Sequence, residues 1–114
     1  MYKRQAHGGG FTPYQIGRLV HGHKVRGETQ AKTKTSPKEL LKRIYFDSLV
    51  FEPQALRYLI DLVGADHICI GTDSPFDMAD ADPKGTIDAV PHITAVEREC
   101  VCSRTALNLL CEKV

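Results

Sequence analysis

The sequence has no excess of charge of either sign. Fifteen basic and fourteen acidic residues leave a formal net charge of +1 over 114 residues. That balance removes the electrostatic case for a nucleic-acid partner or a membrane surface. No apolar run comes near the ~20 residues that a spanning helix needs. There is also no secretory apolar stretch, so the expected location is cytoplasmic. Internal repeats and low-complexity tracts are absent, and the length suits one modest domain. The four cysteines, Cys69, Cys100, Cys102 and Cys111, make no C-x-x-C pair. All lie inside apolar periodic segments, so they read as small core residues of a reducing compartment. The acidic stretch from Asp77 to Pro83 lacks the spacing of a calcium loop and reads as solvated.

What is present centres on one stretch, His67-Ile-Cys-Ile-Gly-Thr-Asp-Ser-Pro-Phe76. Ile68, Cys69 and Ile70 show no polar alternation, as in a parallel strand buried on both faces. Gly71 and Thr72 follow, Asp73 falls where the strand ends, and Pro75 stops its continuation. Parallel α/β folds place ligand sites at the carboxyl ends of strands. An acid delivered there is a candidate metal ligand or catalytic group; the alternative is a turn or helix-cap acid.

The first five residues are too charged for a buried strand and read as a non-native junction, set aside from the fold. Ala6-His7-Gly-Gly-Gly10 reads as a strand end with its turn. Thr12-Pro13 reads as N-cap and first position of a helix reaching about His21, although Gly17 weakens it. Residues 22–35 lack apolar periodicity and read as a solvated loop. Ser36-Pro-Lys-Glu39 is a capping-box pattern opening a short helix. Arg43–Phe51 is rich in aromatic and branched residues and reads as a strand. Glu52-Pro53 opens a helix with Ala55, Leu56, Leu59, Ile60, Leu62 and Val63 in its apolar stripe and Gly64 at its end. Residues 43–73 are then a strand–helix–strand unit with parallel strands. A second capping box, Thr94–Glu97, opens a last helix carrying Val96, Cys100, Val101, Leu107 and Leu110. His21-Gly22-His23 spells His-x-His, but positions i and i+2 of a helix diverge, so helix-end histidines are the expectation. His67 and His92 read as structural or exposed. Asp47 reads either as a buried, hydrogen-bonded structural acid or as a residue lining the site.

The order His-Gly-Gly-Gly (7–10), Pro-Tyr-Gln-Ile-Gly-Arg (13–18), Tyr-Phe-Asp-Ser-Leu-Val (45–50) and Gly-Thr-Asp-Ser-Pro-Phe (71–76) resembles the amidohydrolase superfamily, in its decarboxylase branch. The resemblance covers about residues 6–112 and only the last third of such an enzyme. It implies an α/β fold: the C-terminal third of a (β/α)8 barrel, about strands 6–8 with their helices, in residues 6–114. Strand 6 would be a stub. It implies one divalent metal, usually zinc, held by a His-x-His pair from barrel strand 1, a His from strand 5 and an Asp from strand 8. By motif, Asp73 matches the strand-8 ligand. His7 matches the strand-6 histidine, an acid/base residue beside the metal. Arg18 matches an arginine that clamps the substrate carboxylate and reaches a neighbouring subunit, so a homodimer is implied. The remaining ligands fall outside this chain. Near the C-terminus the family's usual Asn-Ala is Thr105-Ala106 here.

These residue types suit the chemistry that the resemblance implies. A metal orients a carboxylate and lowers the pKa of its own water. Histidine trades protons near neutrality, and an arginine fork holds a carboxylate by two parallel hydrogen bonds. The expectation is a metal-dependent, non-oxidative decarboxylase of a small unsaturated or aromatic acid. The alternatives are a hydrolase or hydratase of the same superfamily, or a non-catalytic barrel fragment.

Overall fold

The computed structural model describes residues 3–111. Three short strands, β1 (Arg4–Gln5), β2 (Tyr45–Asp47) and β3 (Ile68–Cys69), form one parallel sheet in that order. Arg4 pairs with Tyr45, Gln5 with Phe46, Phe46 with Ile68 and Asp47 with Cys69. Parallel strands need long crossovers. The first comprises α1 (Phe11–Tyr14), α2 (Ile16–Val25), α3 (Gly27–Lys32) and α4 (Pro37–Leu41). The second is α5 (Pro53–Val63). After β3 come α6 (Pro83–Asp88), α7 (Ala95–Glu99), a π turn (Cys100–Arg104) and α8 (Thr105–Cys111).

The strand–helix–strand unit stands as expected, and its central strand is shorter than the 43–51 run suggested. The cause is local. The Asp47 carboxylate accepts from its own chain at Leu49 N, 3.1 Å away, which bends the backbone out of the ladder. Residues 4 and 5 carry a strand although their sequence looked unsuited to one. Both are exposed, and an exposed edge tolerates charged side chains. Residues 1 and 2 of the suspected junction lie outside the described residues.

The first crossover departs most from expectation. The helix begins at Phe11, after Gly10, not at Thr12-Pro13, and it breaks at Gln15 before α2 continues to Val25. Residues 22–35 hold the end of α2 and all of α3, not a loop. Polar side chains supply what apolar periodicity does not. Gln30 Nε2 donates to the carbonyls of His23 and Lys24 at 2.9 and 3.0 Å, and Thr29 Oγ1 donates to that of Arg26 at 2.7 Å. The last carbonyls of α2 are thereby satisfied. His23 Nε2 donates to the Thr33 carbonyl at 2.8 Å, which ties the same corner.

The core is one apolar cluster between sheet and helices, with Phe46, Leu56, Ile68, Ile87 and Val101 almost fully buried. Burying each such side chain contributes roughly 1.5–3 kcal/mol. Both capping boxes form, at Ser36/Glu39 and Thr94/Glu97. The last helix buries Cys100, Val101 and Thr105, whereas Val96, Leu107 and Leu110 are exposed, so the expected stripe is only partly the buried one. Thr105, where the resembled family has Asn, donates from Oγ1 to the buried Ala65 carbonyl at 3.1 Å. The Val101 carbonyl, within the π turn, accepts from Ile70 N at 2.8 Å and so caps the end of β3. His67 sits in a tight 3₁₀ turn before β3, not on the strand; it stacks on Tyr45 at 5.0 Å and pairs with Asp66.

Arg57 on α5 clamps α7 to that helix. Its guanidinium donates to both Glu97 oxygens at 3.0 and 2.8 Å and to Asp61 at 2.6 Å. The hydrogen bonds from Arg57, and then that from Thr94 N, hold the Glu97 carboxyl down at about 2.

Candidate active site

The parallel register sets three chain segments side by side at the carboxyl ends of the strands: residues 6–10 after β1, 47–49 at the end of β2, and 70–76 after β3. The first is a tight turn closed by Gly9 N to Ala6 O and Gly10 N to His7 O, at 3.0 and 2.9 Å. His7, Gly8, Gly9 and Gly10 all have positive φ, 53°, 58°, 83° and 56°. Glycine takes that conformation freely and histidine does not, so His7 alone of the four bears its cost. Packing fixes the glycines as well. A Cβ on Gly8 would lie 2.3 Å from Val50 Cγ1, and one on Gly9 2.7 Å from the Phe46 ring.

Asp47 stands behind this turn, 7% exposed. Its Oδ2 accepts from His7 N at 3.0 Å, and its Oδ1 accepts from Gly8 N at 2.9 Å and Leu49 N at 3.1 Å. Its neighbour Ser48 accepts at Oγ from Gly71 N at 3.2 Å. Gly71 packs directly on Asp47, where a Cβ would lie 2.9 Å from Asp47 Cβ. Sequence reasoning missed Ser48. The signal for Gly71 was its place between a dry strand and an acid.

Asp73 is half-buried in the segment after β3 with φ 57°, next to the cis Ser74–Pro75 peptide. Its carbonyl accepts from Phe76 N at 3.1 Å, while its carboxylate has no partner among the described residues. The same holds for the His7 ring and the Arg18 guanidinium, both on exposed residues. A cavity of about 740 Å³ is lined by His7, Gly8, Gly10, Tyr14, Gln15 and Tyr58, among others. Tyr58 is held over it by its hydroxyl, which donates to the Pro13 carbonyl at 2.9 Å. Arg18 lines a different cavity, of about 810 Å³, with Phe11, Gln15, Leu19, His21 and His23. Asp73 and Asp47 border neither. The structure therefore brings His7 against Asp47, and Asp47 against the segment of Asp73, and leaves Arg18 apart. Among the described residues no three His, Cys, Asp or Glu side chains gather as a metal site. A zinc site takes three or four protein ligands. These residues fit a single donor, the unpartnered Asp73 carboxylate, and not a whole coordination sphere.

A parallel sheet with helical crossovers and candidate groups beyond its strand ends defines an α/β enzyme-like architecture. Residues 5–110 match the amidohydrolase family, and the chain belongs to it. Two curated relatives are named 2-amino-3-carboxymuconate-6-semialdehyde decarboxylase. The Caenorhabditis elegans protein is 38% identical over 106 residues, and the Dictyostelium discoideum protein 33%. Both alignments take in 92% of this chain, which spans only 26% and 30% of those relatives. Among solved structures, a Rhizobium 2,6-dihydroxybenzoate decarboxylase superposes with a TM-score of 0.82 at 22% identity, over 99% of this chain and 35% of its own. A Polaromonas dihydroxybenzoic acid decarboxylase, solved with bound manganese and an inhibitor, gives 0.81 at 21%, over 99% and 34%. These neighbours are amidohydrolase barrels, and this chain shares the fold of about a third of one.

Proposed function

We propose that this chain is the C-terminal part, about barrel strands 6–8, of a non-oxidative decarboxylase acting on a small unsaturated or aromatic carboxylic acid. β1, β2 and β3 are then the sixth, seventh and eighth barrel strands. The observation that carries the reading is the placement of His7 and Asp73 at the carboxyl edge of the sheet. They follow the two outer strands of one parallel sheet, both with left-handed backbone, and both side chains are unpartnered among the described residues. Strain at a residue with nothing else to do locally points to a functional role. The names of the two curated relatives support the same reaction class.

In this reading His7 transfers a proton to the carbon that bears the carboxylate. The bond from that carbon to the carboxylate then breaks, its electron pair returns to the conjugated system, and CO2 leaves. The product carries hydrogen where the carboxylate was, so the step needs no net oxidant. Asp73 is one ligand of a divalent metal, with zinc the first ion to test and manganese the second. Arg18 binds a carboxylate of the substrate held by a neighbouring subunit of a homodimer. The test is CO2 release by the full-length protein from a panel of unsaturated and aromatic acids, before and after chelation. Release that is lost with chelator and restored by zinc or manganese is the expected result. Full activity after verified metal removal overturns the metal role. Hydrolysis of an amide or ester with no CO2 from any acid overturns the decarboxylase reading in favour of a hydrolase.

A further inference from the structure

The turn that carries His7 begins where β1 stops, so its first N–H groups have no strand to bond to. The Asp47 carboxylate is their acceptor, at 3.0 Å for His7 and 2.9 Å for Gly8. Bonds from N–H to a carboxylate are about twice as strong as neutral ones. A left-handed histidine persists only where its surroundings over-determine it. Asp47 also sets a limit on the other side, since Gly71 approaches it so closely that only a missing side chain fits.

We propose that Asp47 is a positioning residue: its buried carboxylate fixes the turn carrying His7 and, through its contact with Gly71, the segment leading to Asp73. One side chain on the middle strand thus sets the relative placement of two candidate groups on the strands beside it. The proposal rests on the functional reading of His7 and Asp73 given above. Asparagine has the same shape, but its amide NH2 would face an N–H donor on one side. Glutamate is a methylene too long for the space against Gly71.

The experiment compares full-length wild type with Asp47→Asn, Gly71→Ala and the double variant. Backbone amide exchange at His7 and Gly8, kcat, KM and metal content are measured on each. In Asp47→Asn, exchange at both amides accelerates, kcat falls roughly 10- to 100-fold and KM moves less than about threefold, because misplacement by an ångström is that costly. Metal content stays at the wild-type level. Gly71→Ala pushes on the same carboxylate, so it lowers kcat too, and the double variant loses less than the product of the two single effects. A folded Asp47→Asn protein with a lowered Tm and wild-type kcat would overturn the proposal and leave Asp47 as a structural acid only. Should Asp47→Asn fail to fold, Gly71→Ala decides alone, and wild-type kcat in that variant is the contrary result. If wild type itself releases no CO2, the functional reading fails. The exchange measurement still stands, and unchanged protection of His7 and Gly8 in Asp47→Asn then refutes the role of Asp47 by itself.

Discussion

His7 and Asp73 are the residues on which the functional reading turns, and each can be tested by a single substitution. A general acid or base typically contributes 10²–10⁴-fold, so His7→Ala in the full-length enzyme should lower kcat by roughly that factor. Bound metal should stay near the wild-type level, as judged by elemental analysis; loss of metal would recast His7 as a ligand. Asp73→Ala should do the opposite, with metal depleted and turnover abolished together. Full metal content with normal activity would remove Asp73 from the coordination sphere. The carboxylate of Asp73, unpartnered among the described residues, is the physical ground for the contrast, since the buried carboxylate of Asp47 on the neighbouring strand is already filled by N–H groups.

At the level of elements, α5 and α7 are joined by a charge-assisted fork. Arg57 grips both oxygens of Glu97, whose side chain also closes the capping box at Thr94 by accepting from its backbone N–H at 2.9 Å. The depressed Glu97 carboxyl makes this joint pH-dependent. In the unfolded chain it titrates near 4.5 and in the folded protein near 2, so folding releases a proton in that interval. The stabilisation is complete above about 4.5 and disappears as pH falls toward 2. Glu97→Gln keeps a capping-box side chain and removes the charge. The full-length variant should melt below wild type at neutral pH, and the gap should close between pH 4.5 and 2. A gap in Tm that is independent of pH across that interval would show that the fork contributes nothing through its charge.

The whole molecule leaves much of its apolar surface uncovered. Phe11 and Tyr14 are 73% and 76% exposed, and Phe51, Phe76, Leu107 and Leu110 are at least half exposed. Among the described residues β1 and β3 are each paired on one side only. Unpaired edges and open apolar faces favour association over a unique fold. The isolated 114-residue chain is accordingly expected to lack a cooperative thermal transition with sharp near-UV signal, and observing one would contradict this. Arg18 is tested at the same scale. It is exposed on α2, two residues into that helix, and lines a cavity without His7. Arg18→Lys keeps the charge and loses the fork, so KM should rise with metal content intact. Mixed full-length subunits bearing Arg18→Ala and Asp73→Ala should recover activity that neither has alone, because a hybrid pairs one intact Asp73 site with one intact arginine. No recovery in verified hybrid dimers would exclude a role across subunits.

Local chemistry determined a good part of this protein from its sequence. The apolar stripe of α5, its proline start and its glycine stop are written within a dozen residues, as are the capping boxes at Ser36 and Thr94. The apolar run at Ile68 was enough to expect a buried parallel strand beside β2. Where the sequence misled, the deciding forces were hydrogen bonds that apolar periodicity does not register. α3 forms because Gln30 and Thr29 satisfy carbonyls at the end of another helix. Arg4 and Gln5 form a strand because Tyr45 and Phe46 offer a register, forty-one residues away. Asp47 left two readings open in an apolar strand, and no spacing could choose between them. The fold makes its carboxylate the acceptor for His7 N and Gly8 N after β1 and sets Gly71 against it, since a buried carboxylate needs the donors that tertiary structure places around it.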